Sequence, residues 1–300
     1  MKTRLTAVLA VAALGLGLSA CGGDPTEGEK AATDTITVGS ADFPENEIIA
    51  EIYAQALEAK DIKVEKKLKI GAREVYLPAL ENGEIDLLPE YTGNLLLYLD
   101  KEATATSPDD VTAALGDAVP ENTEILDVAE AEDKDSLNVT SEFSEQEGIT
   151  TIADLKKIDG LKVGASPEFK ERPYGLPGME KVYGITGVEF TAIADAGGPA
   201  TLKALLDGKV DVANIYSTTP SIVENDLVTL EDPENMIASQ NVVPLINSDK
   251  ASDEVKEVLN AISAELTTED LLDLNGQNQG EDKVAPAELA KQWLTDKGLI

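Results

Sequence analysis

Apolar and polar positions alternate along this chain in two ways, and each predicts a different element. Thr35 to Ser40 (TITVGS) is rich in β-branched residues and predicts a buried strand. The segment that opens at Pro44 carries its apolar residues on one helical face: Ile48, Ile49, Ile52, Tyr53, Ala56 and Leu57. Charged and apolar residues alternate over residues 62–70, which predicts a half-exposed strand.

The same succession continues along the chain. Residues 74–81 predict a helix that stops at Gly83, and residues 85–88 predict a short buried strand. Ser107 has the character of a helix N-cap because Pro108 follows it, and residues 161–165 predict another strand. Strands that alternate with helices indicate an α/β architecture.

From Ser252 onward the pattern predicts helices only. Three helical pieces are expected, with breaks at 267–268 and at 275–282.

An internal repeat relates the two halves of the chain. The segment ALENGEIDLLPEYTG (79–93) matches ALLDGKVDVANIYST (204–218), with identical Ala, Leu, Gly, Asp and Tyr at equivalent positions. Val38-Gly39 matches Val163-Gly164 at the same spacing of 125 residues. Two separate segments that agree on one spacing predict two similar α/β lobes.

The repeat places candidate binding residues after equivalent strands. Ser40 and Ala165 follow the opening strands, and Tyr91 and Tyr216 follow the later ones. Ligands of open α/β sheets bind beyond the carboxyl ends of the strands. If the lobes face each other, both tyrosines point into one cleft that can close on a small ligand by a hinge motion.

The N-terminal residues have the pattern of an exported, lipid-anchored protein. Basic residues precede an apolar run over residues 5–18, and small residues lead to Cys21, as in a secretory signal peptide. The sequence LSAC resembles a bacterial lipobox, in which Cys21 becomes the lipid-modified first residue. We predict a signal peptide over residues 1–20 and a lipid-anchored flexible tether over residues 21–34. The alternative is a plain signal peptide with an incidental cysteine.

Composition narrows the chemistry that the protein can perform. The chain has 57 acidic residues against 24 basic ones and a formal net charge of −33, which argues against binding to nucleic-acid phosphates. It has no histidine, so a Ser-His-Asp or Cys-His catalytic centre is excluded. No P-loop, GxSxG motif or metal-ligand spacing occurs. We therefore predict neither an enzyme nor a metal site, and no cofactor.

Five segments together resemble one known family, the osmoprotectant (quaternary amine) substrate-binding proteins of ABC importers. They are ITVGSADFPEN, GEIDLLPEYTG, SPEFKERPYGLPGMEKVYG, GKVDVANIYSTTP and LTTEDLLDLN. The resemblance implies a type II periplasmic-binding-protein fold, with two α/β lobes, an interlobe ligand cleft and two crossover strands. It also implies that lobe 1 takes residues 35–138 and 243–300, and that lobe 2 takes residues 139–242.

The resemblance implies binding residues as well. Such proteins hold a trimethylammonium group in a cage of tyrosines by cation–π attraction, and Tyr91 and Tyr216 stand at cage positions. Arg172 matches the family arginine that holds a ligand carboxylate. The alternative for Arg172 is a salt bridge at the surface or between the lobes. Asp133 occupies a polar position of the family, and Ser40 follows the first strand.

Three further candidate positions depart from the family pattern. Asp135 stands where another cage tyrosine is usual, Gln240 replaces a residue that is often aromatic, and Asn94 replaces a threonine. A carboxylate beside a bound cation can replace the electrostatics of a ring, and it favours a cation without a carboxylate of its own. Choline-like cations and primary or secondary amines then suit the pocket better than glycine betaine. A different polar ligand, such as an amino-acid derivative, stays open.

These observations predict an extracytoplasmic lipoprotein on the bacterial cell membrane. It captures a small compatible solute or quaternary amine and delivers it to an ABC permease. The expected partners are the solute, the permease and, through lipid on Cys21, the membrane, while nucleic acid is not expected as a partner. We expect a monomer. The alternatives are a binding protein for another polar ligand and an acidic surface adhesin.

Overall fold

The computed structural model of the protein describes residues 35–280 and 283–300. The predicted signal peptide (1–20), the predicted tether (21–34) and Cys21 lie outside the described residues. Within the described ranges no helix has both the length and the apolar character needed to cross a membrane.

Two five-stranded sheets form the framework of the described chain. The strands are β1 (Thr35–Gly39), β2 (Lys63–Lys67), β3 (Leu87–Tyr91), β4 (Thr123–Ile125), β5 (Asp135–Thr140), β6 (Lys162–Ala165), β7 (Glu189–Ala192), β8 (Val212–Tyr216), β9 (Leu227–Thr229) and β10 (Val242–Asn247). The strand order is β2-β1-β3-β10-β4 in one sheet and β7-β6-β8-β5-β9 in the other. In each sheet the first three strands are parallel and the fourth, β10 or β5, runs antiparallel to both neighbours.

Helices cover both faces of each sheet. They are α1 (Pro44–Glu58), α2 (Arg73–Glu81), α3 (Thr92–Leu99), α4 (Pro108–Ala118), α5 (Ser141–Glu147), α6 (Leu176–Tyr183), α7 (Pro199–Leu206), α8 (Ser221–Glu224), α9 (Asp253–Glu265), α10 (Thr268–Gln279) and α11 (Pro286–Asp296), with 3₁₀ turns at Ile152–Lys157, Pro167–Lys170 and Ser248–Lys250. In the first sheet one core lies against α1, α9, α10 and α11, and another lies against α2, α3 and α4. The second sheet has its own two cores. Because both faces are covered, nearly every residue of the central strands β3, β5, β8 and β10 is buried.

The chain passes between the two sheets twice, and we call each sheet with its helices a lobe. It leaves lobe 1 between β4 and β5 and returns between β9 and β10. The two passages run side by side, since Glu132 and Asn241 form an antiparallel bridge. The lobe limit expected at 138/139 falls inside β5, and the one at 242/243 falls after the first residue of β10. Both fall within a few residues of the passages.

The strand registers of the two lobes repeat each other. Val38 of β1 is opposite Leu87 of β3, and Val163 of β6 is opposite Val212 of β8. Both residues of the second pair lie 125 positions after those of the first, which is the spacing of the sequence repeat.

The repeated aspartate has the same contact in both lobes. Asp86 Oδ2 accepts a hydrogen bond of 2.8 Å from the backbone N–H of Thr37, and Asp211 Oδ2 accepts one of 2.8 Å from that of Lys162. Each aspartate therefore ties the turn before one strand to the opening strand of its lobe. This explains why the aspartate recurs without being a binding residue.

The C-terminal helices differ from the expectation in one place. The break at 267–268 is present, where the side chain of Thr267 and that of Asp270 cap the start of α10. The break expected from residue 275 is wrong, because α10 continues to Gln279. Its Asn275 is buried and bonded to other elements, and these tertiary contacts outweigh the low helix propensity of the polar segment.

Candidate ligand-binding site

A cavity of about 400 Å³ lies between the two lobes. Lobe 1 contributes the loop after β1, the start of α2 and the end of β3 to its wall. Lobe 2 contributes the loops after β6 and β7 and the end of β8. The carboxyl ends of parallel strands from both lobes thus meet at one cavity, which is where open α/β sheets bind ligands.

Three aromatic rings form one side of this cavity. Tyr91 and Tyr216 are the last residues of β3 and β8, and Phe43 immediately precedes α1. The centroid of the Phe43 ring lies 5.1 Å from that of Tyr216 and 6.0 Å from that of Tyr91. The rings come from both lobes and make a π surface against which a cation can bind.

We call the rings of Phe43, Tyr91 and Tyr216 the ring wall. A carboxylate behind the ring wall fixes the hydroxyl of Tyr91. It donates a hydrogen bond of 2.7 Å to Glu45 Oε1. Burial and the charge of Glu45 raise the pKa of Tyr91, and burial together with the charge of Asp135 raises the pKa of Tyr216. Both phenols therefore stay neutral at physiological pH.

Asp135 presents a carboxylate to the same cavity. It is the first residue of β5 and lies opposite Tyr216 in the sheet. Asn94 Nδ2 donates to Asp135 Oδ2 at 2.7 Å. Gln240 in turn orients Asn94, since its Oε1 accepts from the Asn94 N–H at 2.9 Å and its Nε2 donates to Asn94 Oδ1 at 2.8 Å. A buried amide chain therefore holds the carboxylate in place.

A second pair of carboxyls, Glu45 and Asp133, lies where the lobes join. Glu45 Oε2 accepts from Thr218 Oγ1 and Asn275 Nδ2, both at 2.6 Å, and Asp133 Oδ1 accepts from the Thr218 N–H and Ser217 Oγ, both at 3.1 Å. Burial, followed by the charge of Glu45, raises the pKa of Asp133 well above its usual value. Burial also raises the pKa of Glu45, against the lowering effect of its hydrogen bonds. The pair keeps a proton to higher pH than isolated carboxyls do.

Arg73 lines the cavity but is bonded to a carboxylate within lobe 1. Its Nε and Nη2 donate to the two carboxylate oxygens of Glu90, both at 2.8 Å. Glu90 is fully buried and also accepts from the hydroxyl of Tyr76 at 2.8 Å. This arginine is therefore a neutralised part of the wall.

Arg172 is bonded across the cleft. Its Nε and Nη2 donate to the carboxylate of Glu74 on α2, at 3.1–3.3 Å, and its Nη1 donates to the hydroxyl of Tyr174 at 3.0 Å. Partial burial would raise the pKa of Glu74, but the hydrogen bonds and charge of Arg172 outweigh it and hold that pKa below its usual value. The ion pair joins lobe 2 to lobe 1 at the cavity.

The cavity brings together six of the eight candidate residues. They are Tyr91, Asn94, Asp133, Asp135, Arg172 and Tyr216. Gln240 lies behind Asn94 and does not line the cavity. Ser40 is also buried outside it, where its hydroxyl donates to the carbonyl of Ala41 and accepts from the N–H of Lys69.

Among the residues of the cavity wall and its ion pairs that the sequence did not predict, four contribute a ring, a hydroxyl or a charge that the site uses. They are Phe43, Arg73, Glu74 and Tyr76. Phe43 had a signal, because it is an aromatic residue just after the opening strand and inside a segment that resembles the family. The other three lie at the start of α2, where helical periodicity alone does not tell which residues face the second lobe. No cluster of three or more carboxylate or thiol side chains that could hold a metal ion occurs in residues 35–280 and 283–300.

Comparison with known proteins agrees with this geometry. Over residues 34–296 the chain matches the family described as the substrate binding domain of ABC-type glycine betaine transport systems. It is 27% identical to the glycine betaine-binding protein YehZ of Escherichia coli, over 89% of this chain and 92% of that one. It is 26% identical to the carnitine transport binding protein OpuCC of Listeria monocytogenes, over 98% of this chain and 97% of that one.

Solved structures share the fold. A glycine betaine/carnitine/choline ABC transporter structure superposes with a TM-score of 0.69 at 23% identity, over 88% of this chain and 99% of that one. Apo YehZ superposes with a TM-score of 0.61 at 25% identity, over 89% of this chain and 99% of that one. These neighbours are two-lobed binding proteins, so the predicted type II periplasmic-binding-protein fold is confirmed. The chain belongs to the family of substrate-binding domains of ABC-type glycine betaine transport systems.

Proposed function

We propose that the interlobe cavity binds a small organic cation of the compatible-solute type and that the protein delivers it to an ABC permease. The observation that carries this proposal is the joint presence of three rings and the Asp135 carboxylate on one cavity. Rings attract a cation through their quadrupoles, by about 0.5–2 kcal/mol for each contact. The carboxylate adds an opposite charge on the wall of the same cavity. The cavity therefore favours a positively charged ligand.

The proposed mechanism is capture by lobe closure. A ligand between the rings contacts both lobes, because Tyr91 and Phe43 belong to lobe 1 and Tyr216 belongs to lobe 2. Contacts made to both lobes only when the lobes are close together favour the closed form. The family consists of solute-binding proteins rather than enzymes. We propose accordingly that this chain binds its ligand without changing it and acts as a monomer.

A protonated primary or secondary amine is the second candidate ligand. Asp135 favours it, because its carboxylate lines the cavity and can accept a hydrogen bond that a quaternary ammonium cannot donate. Choline and glycine betaine test the quaternary class, while ethanolamine and putrescine test the amine class. Each is titrated by calorimetry against the purified chain.

The experiment that tests the proposal compares Asp135→Asn with the wild type. The amide can still accept from Asn94, so the main loss is the charge. We expect the Kd of the bound cation to rise about 10-fold or more, because the substitution removes the opposite charge that attracts the cation. Asp159→Asn, at an exposed lobe 2 position, is the charge-matched control and should leave the Kd unchanged. A protein that binds none of the four cations at millimolar concentration, or that binds them equally well without Asp135, contradicts the proposal.

We also propose that lipid on Cys21 anchors the protein outside the cytoplasmic membrane of a bacterium. The proposal is supported by the LSAC sequence and by the extracytoplasmic role of the family. Cells that produce the Cys21→Ser variant should release it from the membrane fraction, and the variant should not incorporate a labelled fatty acid. Retention of label in Cys21→Ser rules the anchor out.

A further inference from the structure

We propose that Glu74 is a specificity-determining residue that makes the cavity reject ligands carrying a carboxylate. The inference rests on the proposed function, because it concerns which small cations the same cavity accepts. It assigns a role to a residue outside the ring wall, on the first turn of α2.

Arg172 is already paired to a carboxylate of the protein. Arginine binds a carboxylate best through two parallel N–H groups on one edge of its guanidinium. In Arg172 that edge, Nε and Nη2, already donates to both oxygens of Glu74. Glu74 therefore occupies the place that a ligand carboxylate needs.

Arg73 cannot bind a ligand carboxylate in place of Arg172. Its Nε and Nη2 edge is bonded to both oxygens of Glu90 at 2.8 Å, with no exposure of the Glu90 side chain. Arg73 and Arg172 are the two cationic residues that line the cavity within the described chain. Both are thus paired to a carboxylate of the protein.

The remaining charge on the cavity wall is negative. Beyond the two neutralised arginines, the charged residues that line the cavity are acidic: Asp42, Asp135, Glu168 and Asp195. A ligand carboxylate entering this wall meets like charges at close range, which is an unfavourable arrangement. A cation whose other end is a hydroxyl or an apolar group meets no such electrostatic repulsion.

Exposure distinguishes the two ion pairs and singles out Glu74. The Glu74 side chain is 42% exposed and the Arg172 side chain 17%, whereas the Arg73–Glu90 pair is buried. Exposed ion pairs contribute little to stability, so Glu74 can be replaced without unfolding the protein. Glu74 therefore controls whether Arg172 is free, at little cost to the fold.

The test uses ligand pairs that differ by a carboxylate: choline with glycine betaine, and putrescine with ornithine. In the wild type we expect the carboxylate-free member of the binding pair to have a Kd at least about 10-fold lower. In Glu74→Gln, Arg172 loses the negative charge that neutralises it, and the Kd of the carboxylate-bearing member should fall about 10-fold. The Kd of the carboxylate-free member should change less than about 3-fold.

Glu81→Gln is the matched control, because Glu81 is exposed at the far end of the same helix and does not line the cavity. It should keep the wild-type ratio of the two Kd values. The inference is overturned if the wild type prefers the carboxylate-bearing member, or if Glu74→Gln keeps the wild-type ratio while still binding. Failure of the wild type to bind any of these four ligands or ethanolamine is a different result: it refutes the proposed function and this inference with it.

Discussion

At the scale of single residues, Tyr216 is the sharpest test of the ring wall. Its ring lies 5.1 Å from Phe43 and comes from the opposite lobe. Tyr216→Leu keeps an apolar side chain but removes the π surface. We expect the Kd of the bound cation to rise about 2- to 30-fold, the range set by one cation–π contact of about 0.5–2 kcal/mol. Calorimetric titration measures this.

The control for Tyr216 is another tyrosine of lobe 2. Tyr183 lies outside the cavity, at the end of α6, and its hydroxyl donates to Asp232. Tyr183→Leu should lower the melting temperature and leave the Kd of a folded sample unchanged. Equal losses of affinity in both variants would show that Tyr216 acts through stability rather than through the ligand.

The sequence predicted individual residues well where the repeat or a strand end located them. Tyr91 and Tyr216 follow from the repeat, since the end of a parallel strand fixes where its last side chain lies. The pairing of Glu74 with Arg172 could not be predicted from the sequence, because these residues are 98 positions apart in different lobes. Only the distance between the lobes decides whether Arg172 meets a ligand or a neighbouring carboxylate.

At the scale of elements, the repeated aspartates stabilise the opening strands of both lobes. Asp211→Ala removes the acceptor of the Lys162 N–H, and we expect it to cost about 1–2 kcal/mol in the free energy of unfolding. Asp86→Ala should cost more, because Asp86 is only 8% exposed and also lies 3.9 Å from Lys250 Nζ. Urea denaturation measures both.

A conservative variant separates the hydrogen bond from other effects of the aspartates. Asp211→Asn retains an acceptor oxygen and should recover part of the stability lost in Asp211→Ala. The exposed Asp159→Ala should cost nothing measurable. If Asp211→Ala is as stable as Asp159→Ala, the repeat has a different physical origin.

Element prediction succeeded where apolar periodicity was strong and failed where tertiary contacts decide. The apolar stripe of α1 was sufficient to identify that helix. The polar end of α10 suggested a break, yet Asn275 bonds to Glu45 and Thr218 and the helix continues. Contacts between elements are absent from local sequence pattern, so this error is of a kind that propensity cannot avoid.

At the scale of the whole molecule, stability should depend on pH through two opposed sets of carboxyls. Glu45 and Asp133 have a raised pKa because of burial and, for Asp133, the charge of Glu45. Their stabilising contribution to the free energy of unfolding is complete below about pH 4, the pKa of such groups in the unfolded chain. It is lost as the pH rises through their raised pKa values in the folded protein. Glu74 and Asp270 have a lowered pKa, so their contribution is lost as pH falls below about 4. Maximum stability is expected at mildly acidic pH.

Asp133→Asn tests this dependence against the general repulsion of a chain with a net charge of −33. At about 1 M salt, interactions between exposed charges are screened beyond ~3 Å, whereas the interaction of a buried pair is screened only weakly. In high salt, the free energy of unfolding of the wild type should still fall between about pH 5 and pH 8, and that of Asp133→Asn should fall less. The variant keeps an acceptor for the Thr218 N–H and removes the charge that faces Glu45, Asp135 and Tyr91. An equal fall in both proteins at high salt would assign the pH dependence to surface charge alone.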